Sequence, residues 1–269
     1  MKQVTVFFDL EAWWEAPYRG KFDIEQVMAS ILDVLDKHHI DATFNTCGIV
    51  AEHFPKMVQK AYEKGHEISC HGFKHENFSQ MTLEEATGTL AKAEEEIKKA
   101  IGHKPEGIRF PWMFYNSTSY KALEKRGYKW ASNRHTSFPE TFSRPDFHSL
   151  SHRLAKSFFS LSAFSAKKAP YKNGSIIEIP VLSSSDGDLL SLVSPEQDSL
   201  QEFLDYAFIA WKRQYAKSGQ YFNLNFHPWL IGSSNRIQLL EKILRHLDSK
   251  RAEDSIRFET AADVAGGEK

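Results

Sequence analysis

The chain has 269 residues, of which 41% are hydrophobic, and a formal net charge of −1. This balance excludes the strongly basic surface of nucleic-acid-binding proteins and argues against electrostatic binding to membranes. No apolar run approaches the roughly 18 residues that a membrane-spanning helix needs, and the first residues lack the apolar core of a signal peptide. We therefore expect a soluble cytoplasmic protein, and the composition leaves a homo-oligomer open.

Short apolar runs alternate with segments of helical periodicity along the chain. In chain order we predict strand Val4–Phe8, helix Ile24–His39, strand Ala42–Thr46, helix Val50–Lys64, strand Glu67–Cys70, helix Thr82–Ala100, strand Gly107–Phe110, helix Ser117–Arg126, strand Tyr128–Ala131, strand Ser175–Val181, helix Pro195–Lys217, strand Tyr221–Phe226, helix Asn235–Asp248 and strand Ile256–Phe258. Residues 133–172, with three prolines and many serines, are predicted to be irregular.

Strands separated by helices of this length predict an α/β fold with a mostly parallel sheet. No repeat, low-complexity segment or linker divides the sequence, so residues 1–269 are predicted to form a single domain. Seven or eight such units are enough to close a barrel, and a doubly wound open sheet is the alternative.

Four segments with reactive side chains each follow a predicted strand. They are Asp9-Leu10-Glu11, His71 to His75, Arg109-Phe110-Pro111-Trp112 and His227-Pro228-Trp229. Because the carboxyl ends of parallel strands meet at one face of such a fold, these segments are expected to converge on one site.

The histidine pair His71 and His75 has a spacing that lets both imidazoles reach one ion from the same side of a helical turn. A second pair with this spacing, His148 and His152, lies in a predicted loop and has no acidic partner at a strand end. Only the first pair is therefore a candidate for metal binding.

Two imidazoles and one carboxylate form a ligand set that leaves a position open for water, as catalytic zinc requires. A bound cation acidifies that water and polarises a carbonyl group. A second carboxylate can then accept the water's proton, and a histidine can protonate a leaving nitrogen. If the strand geometry persists through Glu11, Asp9 and Glu11 face the same side and supply one carboxylate for each task.

In this order the motifs resemble the polysaccharide deacetylase family, the NodB homology domain of carbohydrate esterase family 4. The resemblance covers roughly residues 3–260 and rests on Asp9, the His71/His75 pair, the Arg-x-Pro-Trp motif at Arg109 and the Leu-x-x-His-Pro motif that ends at Pro228. It implies a distorted (β/α) barrel that hydrolyses an amide, usually the N-acetyl group of a sugar or oligosaccharide, with one divalent cation. Zinc is expected, with Co²⁺, Ni²⁺ or Mn²⁺ as alternatives.

The resemblance also implies a role for each motif residue. Asp9 would be the general base, paired with Arg109, and His227 the general acid. Glu11, His71 and His75 would be the metal ligands, and the backbone N–H of Trp112 would stabilise the oxyanion.

The sequence departs from the family pattern at two places. The usual metal-binding Asp directly follows the base, whereas Leu10 intervenes here, a spacing similar to that of certain peptidoglycan deacetylases and allantoinases. Where the fourth motif of the family supplies an Asp, this chain has Ser132-Asn133. Two alternatives follow: an allantoinase-like hydrolase of cyclic amides, and a non-catalytic barrel that binds glycans.

Overall fold

The structure is a computed structural model that describes residues 1–11, 23–135, 167–190, 200–232 and 236–266. The second histidine pair, His148 and His152, lies outside these residues. None of the helices in the described part of the chain is both long and apolar enough to cross a membrane.

Nine strands and ten α-helices are seen in these residues. The strands are β1 (Lys2–Leu10), β2 (Thr43–Thr46), β3 (Glu67–Cys70), β4 (Gly107–Ile108), β5 (Trp130–Ala131), β6 (Tyr171–Asn173), β7 (Ile176–Glu178), β8 (Tyr221–Phe226) and β9 (Ile256–Phe258). The helices are α1 (Ile24–Lys37), α2 (Gly48–His53), α3 (Pro55–Glu63), α4 (Leu83–Ile101), α5 (Ser117–Arg126), α6 (Asp186–Leu190), α7 (Leu200–Lys217), α8 (Pro228–Ile231), α9 (Ile237–Ser249) and α10 (Ala261–Val264).

The strands form one curled sheet in the order β6-β7-β5-β4-β3-β2-β1-β8, and β9 pairs with the first residues of β1. Every neighbouring pair among the described strands is parallel except β6 with β7. The mostly parallel (β/α) barrel expected from the sequence is therefore confirmed, and the open doubly wound sheet is not observed.

The segment after β7 links the two ends of the curled sheet. Val181 forms a single bridge with His135 beyond β5, and Ser185 forms one with Asn225 of β8. The side-chain amide of Asn223 adds a hydrogen bond to the Pro180 carbonyl oxygen at 2.7 Å. Isolated bridges and a side-chain hydrogen bond thus join the two ends of the curled sheet, in place of a continuous strand.

The alternation of β1 separates two hydrophobic clusters. Val4, Val6, Phe8 and Leu10 are buried in the large core that also contains the apolar faces of the helices. Phe7 belongs to a smaller cluster with Trp130, Ile179, Tyr221 and Ala261. Because successive strand residues point to opposite faces, the odd-numbered residues of β1 lie on the inner face of the barrel.

Some predicted elements require correction. The predicted helix Val50–Lys64 is two helices that meet at Phe54, because Pro55 starts a new helix and restricts the residue before it. The antiparallel strand β6 and the short helices α6, α8 and α10 were not predicted, since each is too short to show a periodic pattern. Of the predicted helices Pro195–Lys217 and Asn235–Asp248, residues 195–199 and 235 lie outside the described residues.

Candidate active site

Asp9 of β1 and Glu11, just beyond the end of β1, lie on the same side of the barrel mouth. Leu10, between them, points to the opposite face and is buried in the core with 1% of its surface exposed. Because strand residues alternate, the carboxylates on either side of Leu10 share one face. The inserted leucine therefore moves the second acid one residue along the chain without removing it from the site.

Asp9 accepts hydrogen bonds from one basic and one neutral polar side chain. Arg109 Nη1 donates to Asp9 Oδ1 at 3.0 Å, and Asn45 Nδ2 donates to the same oxygen at 2.5 Å. Burial alone would raise the pKa of Asp9, but the neighbouring Arg109, with His227 and the hydrogen bond from Asn45, holds that pKa below its usual value. Asp9 is therefore kept ionised.

The Arg109 side chain is held on three sides. Its Nε donates to the Ser132 carbonyl oxygen at 3.1 Å and its Nη2 to Ser132 Oγ at 3.0 Å. Its guanidinium carbon lies 4.2 Å from the centre of the Phe7 ring, a cation–π distance. Ser132, at the position where the family motif supplies an Asp, thus orients the arginine through neutral hydrogen bonds.

His71 and His75 approach each other across a turn, not a helix. Gly72 and His75 both have left-handed backbone angles, with φ of 75° and 66°, so the prediction of a helical turn is wrong although the rings converge. The turn brings the ring centres to 5.0 Å. The Nδ1 of His71 lies 2.7 Å from the Arg109 carbonyl oxygen, which can only accept. Nδ1 therefore carries the proton, and the lone pair of Nε2 is free for a ligand bond.

Glu11, His71 and His75 form a group with the chemistry of a metal site. Each offers one ligand atom, and these atoms lie within 4.8 Å of one another. Both buried Nε2 atoms face Glu11 Oε1, at 3.8 Å from His71 and 3.1 Å from His75. Neither has a well-directed hydrogen bond to a described residue. Burial alone would raise the pKa of Glu11, but His227 and the two histidines hold that pKa well below its usual range. One carboxylate and two imidazoles form a donor set that fits a divalent cation.

His227 follows β8 and faces Glu11 from the other side, with its Nε2 3.5 Å from Glu11 Oε1. Its Nδ1 lies 2.6 Å from Oδ1 of the fully buried Asp186, whose Oδ2 also accepts the His227 backbone N–H at 2.9 Å. Burial alone would lower the pKa of His227, but the negative charges of Asp186, Glu11 and Asp9 raise it to about 10. His227 therefore carries a proton that it can donate.

Asp186 was not among the predicted site residues. It lies in the first turn of α6, after the segment that continues β7. Like Glu11, Asp186 is an acidic residue that follows a predicted strand, so the same sequence pattern could have predicted it. The family pattern places an acid near β5, whereas Asp186 follows the segment that continues β7.

Trp112 forms the rim of the site beside His75, and its ring is 57% exposed. The ring centres of Trp112 and His75 are 4.3 Å apart in an edge-on arrangement. Trp112 and Met113 have positive φ angles of 50° and 56°. Bonds from Met113 N–H to the Phe110 carbonyl oxygen (2.8 Å) and from Phe114 N–H to the Pro111 carbonyl oxygen (2.9 Å) close this turn. The oxyanion role of the Trp112 N–H stays a prediction.

Comparison with known proteins confirms the resemblance to polysaccharide deacetylases. Residues 2–131, just under half of the chain, match the family model of polysaccharide deacetylases. The chain is 26% identical over 261 residues to a peptidoglycan deacetylase of Helicobacter pylori. That alignment covers 91% of this chain and 85% of the relative. The names of the relatives are consistent with a hydrolase.

Solved structures share the fold of this protein. A putative polysaccharide deacetylase of Mycobacterium smegmatis superposes with a TM-score of 0.71 and 17% identity, over 98% of this chain and 88% of the other. The Puue allantoinase superposes with a TM-score of 0.71 and 14% identity, over 98% and 89% of the two chains. At these identities the likeness concerns the fold, and the side chains at the barrel mouth carry the argument about function.

Proposed function

We propose that this protein is a deacetylase that uses one divalent cation to remove the N-acetyl group from a sugar of a glycan or glycan precursor. The observation that carries the proposal is the arrangement around Glu11. His71 and His75 lie on one side of it, and the ion pairs Asp9–Arg109 and His227–Asp186 flank the same space.

Glu11, His71 and His75 would hold the cation, with zinc as the first candidate because its catalytic sites use three nitrogen or oxygen ligands and keep one position open. Bound there, a divalent cation supplies Lewis-acid chemistry, which polarises the amide carbonyl and lowers the pKa of water. His71 is suited to bind a cation through Nε2, because the Arg109 carbonyl group holds the proton of the ring on Nδ1.

Asp9 is the proposed general base. Its carboxylate stays ionised beside Arg109 and accepts a proton from the attacking water. The bond from Asn45 fixes the orientation of the carboxylate, and Asn45 in turn accepts a hydrogen bond from Ser69 Oγ at 2.6 Å. These contacts limit the rotation of Asp9.

His227 is the proposed general acid. Its Nδ1 contacts Asp186, so the proton available for transfer is on Nε2, the atom that faces Glu11 and the site. This proton would pass to the amide nitrogen as the carbon–nitrogen bond breaks, which releases an amino sugar and acetate. A barrel that only binds glycans would need neither Asp9 nor His227.

The exposed ring of Trp112 supports a sugar as the substrate. Aromatic side chains present an apolar face with a defined geometry, and this ring is held by the turn at Phe110–Phe114 next to His75. The name of the Helicobacter pylori relative points to the same class of substrate. We propose N-acetylated sugar oligomers as the first substrates to test.

The test is a comparison of acetate release with ring opening. Purified protein is supplied with Zn²⁺ and incubated with N-acetylglucosamine oligomers, with N-acetylmuramic acid-containing glycan fragments and with allantoin. Acetate release that falls by about 10²–10⁴-fold in Asp9→Asn supports the proposal, since general base catalysis contributes that much. Ring opening of allantoin without acetate release would favour the cyclic-amide alternative. Binding of the oligomers with no turnover of any substrate would favour the non-catalytic barrel.

A further inference from the structure

Trp229 contacts the proposed metal ligand that departs most from the family pattern. The indole Nε1 of Trp229 donates to Glu11 Oε2 at 3.2 Å. The other oxygen of the same carboxylate, Oε1, is the one that faces His71 and His75. The two carboxylate oxygens therefore have different partners, and Trp229 contacts the one that is turned away from the two histidines.

Glu11 needs such an anchor because of its place in the chain. Strand β1 ends at Leu10, so the backbone of Glu11 lies beyond the last strand residue. Its side chain is also longer by one methylene than the Asp that the family pattern places directly after the base. A glutamate has an additional rotatable bond, and its ordering costs more side-chain entropy. A hydrogen bond to one oxygen lowers this cost because it selects one orientation before a cation binds.

The segment that carries Trp229 is firmly placed. The short helix α8 starts at Pro228 and buries Leu230 and Ile231. Trp229 itself is half-buried and packs on the main core, and its ring centre is 5.7 Å from that of His227. One turn of chain after β8 therefore supplies both the proposed acid and the group that orients Glu11.

We infer that Trp229 is a positioning residue for the metal site, whose indole N–H holds Glu11 so that Oε1 alone is presented to the cation. This inference rests on the proposed function, because it requires that Glu11, His71 and His75 bind a cation. It explains how a ligand beyond the end of β1 can replace an Asp on the strand itself. Groups that hydrogen-bond to metal ligands raise metal affinity by orienting the ligands in this way.

The test is the affinity of the metal-free protein for Zn²⁺ and Co²⁺, measured by competition with a chromophoric chelator. Trp229→Phe keeps an aromatic ring and removes the N–H. We expect its dissociation constants to rise by about 10–100-fold, the range found when a hydrogen bond to a metal ligand is lost. The visible spectrum of the Co²⁺-loaded protein is expected to change as well, since a released carboxylate can bind through both oxygens.

Trp130→Phe is the matched control. Trp130 Nε1 also donates to a glutamate, Glu67 Oε1 at 2.9 Å, but this pair joins the first residues of β5 and β3, at the end of the barrel away from the site. Its metal affinity is expected to equal that of the wild type. Should Trp229→Phe fail to fold, Trp229→Leu repeats the test without a donor.

The outcomes separate this inference from the proposed function. Weaker binding in the Trp229 variant, with melting of the metal-free protein unchanged, supports the inference. Equal affinity and an equal Co²⁺ spectrum in Trp229→Phe and wild type would overturn it and leave the metal site intact. Wild-type protein that binds neither cation would overturn both.

Discussion

The side chains at the barrel mouth include two pairs of opposite charge, Asp9 with Arg109 and His227 with Asp186. Arg109 holds Asp9 in its ionised form, and Asp186 holds His227 in its protonated form. The proposed base and the proposed acid can therefore coexist at the same pH, because the partner of each shifts its pKa in the direction that the proposed role requires. The site is therefore organised by partners that lie directly behind the reactive groups.

Replacement of Asp186 is expected to move the alkaline limit of activity. The pKa of His227 is raised to about 10 against the opposing effect of burial, with Asp186 as the first contributor. In Asp186→Asn the pKa of His227 falls, so the protonated acid is lost at lower pH. We expect the alkaline limb of the kcat/KM profile to move down by about 1–3 pH units, as for removal of a contacting opposite charge. The measurement is the rate of acetate release across pH 5–11.

Asp188→Asn is the control for this variant. Asp188 lies on the same short helix and accepts the Ser185 backbone N–H, so its loss tests whether α6 must be intact. Its profile is expected to match that of the wild type. If the Asp186→Asn profile also coincided with the wild type, the assignment of His227 as an acid supported by Asp186 would be wrong.

The helices and strands determine how firmly the site is held. Helix α8, which follows His227, packs against α1 at Gly232, where an added Cβ would lie 2.5 Å from Val27 Cγ1 and 2.7 Å from the Pro228 carbonyl oxygen. The backbone oxygen cannot move aside without disturbing α8. The φ of Gly232 is −80°, which any residue can adopt. Glycine is therefore needed here for the close approach of α8 and α1 and not for its backbone freedom.

Two glycine substitutions are expected to change stability in opposite directions. Gly232→Ala overpacks the contact between α8 and α1, and we expect a loss of about 1–3 kcal/mol in the free energy of unfolding. Gly88→Ala lies in the exposed middle of α4, where nothing is within 4 Å of the added Cβ. The higher helix propensity of alanine is expected to add about 0.5–1 kcal/mol there. Chemical denaturation of both variants checks this pair, and a Gly232→Ala protein as stable as the wild type would contradict the packing argument.

The whole molecule shows which parts of the architecture the sequence could predict. Strands β1, β3 and β8 and helices such as α4 and α5 have clear patterns and caps, so their positions were predicted within a few residues. Their order led to the barrel, and the rule that sites gather at the carboxyl ends of strands brought Asp9, Arg109 and His227 together. The structure confirms this convergence, while the roles of these residues stay predictions.

Other parts depend on contacts between distant segments and could not be predicted locally. Asp186 becomes a site residue only when the segment after β7 meets the turn after β8, and the hydrogen bond from Trp229 to Glu11 forms only when that turn meets the end of β1. The backbone at His75 forms a left-handed turn, whereas the spacing of the two histidines had suggested a helical turn. Sequence patterns identified the reactive groups, whereas the groups that orient them required the three-dimensional arrangement.

The central claim, that this protein is a deacetylase that depends on a cation held by Glu11, His71 and His75, is tested most directly by acetate release from an N-acetylated sugar oligomer. The rate is measured with metal-free protein, after addition of one equivalent of Zn²⁺, and with His71→Ala under the same conditions. The account predicts negligible release without metal, recovery with one equivalent, and no recovery in His71→Ala. Full activity of the metal-free protein, or of His71→Ala, would contradict it.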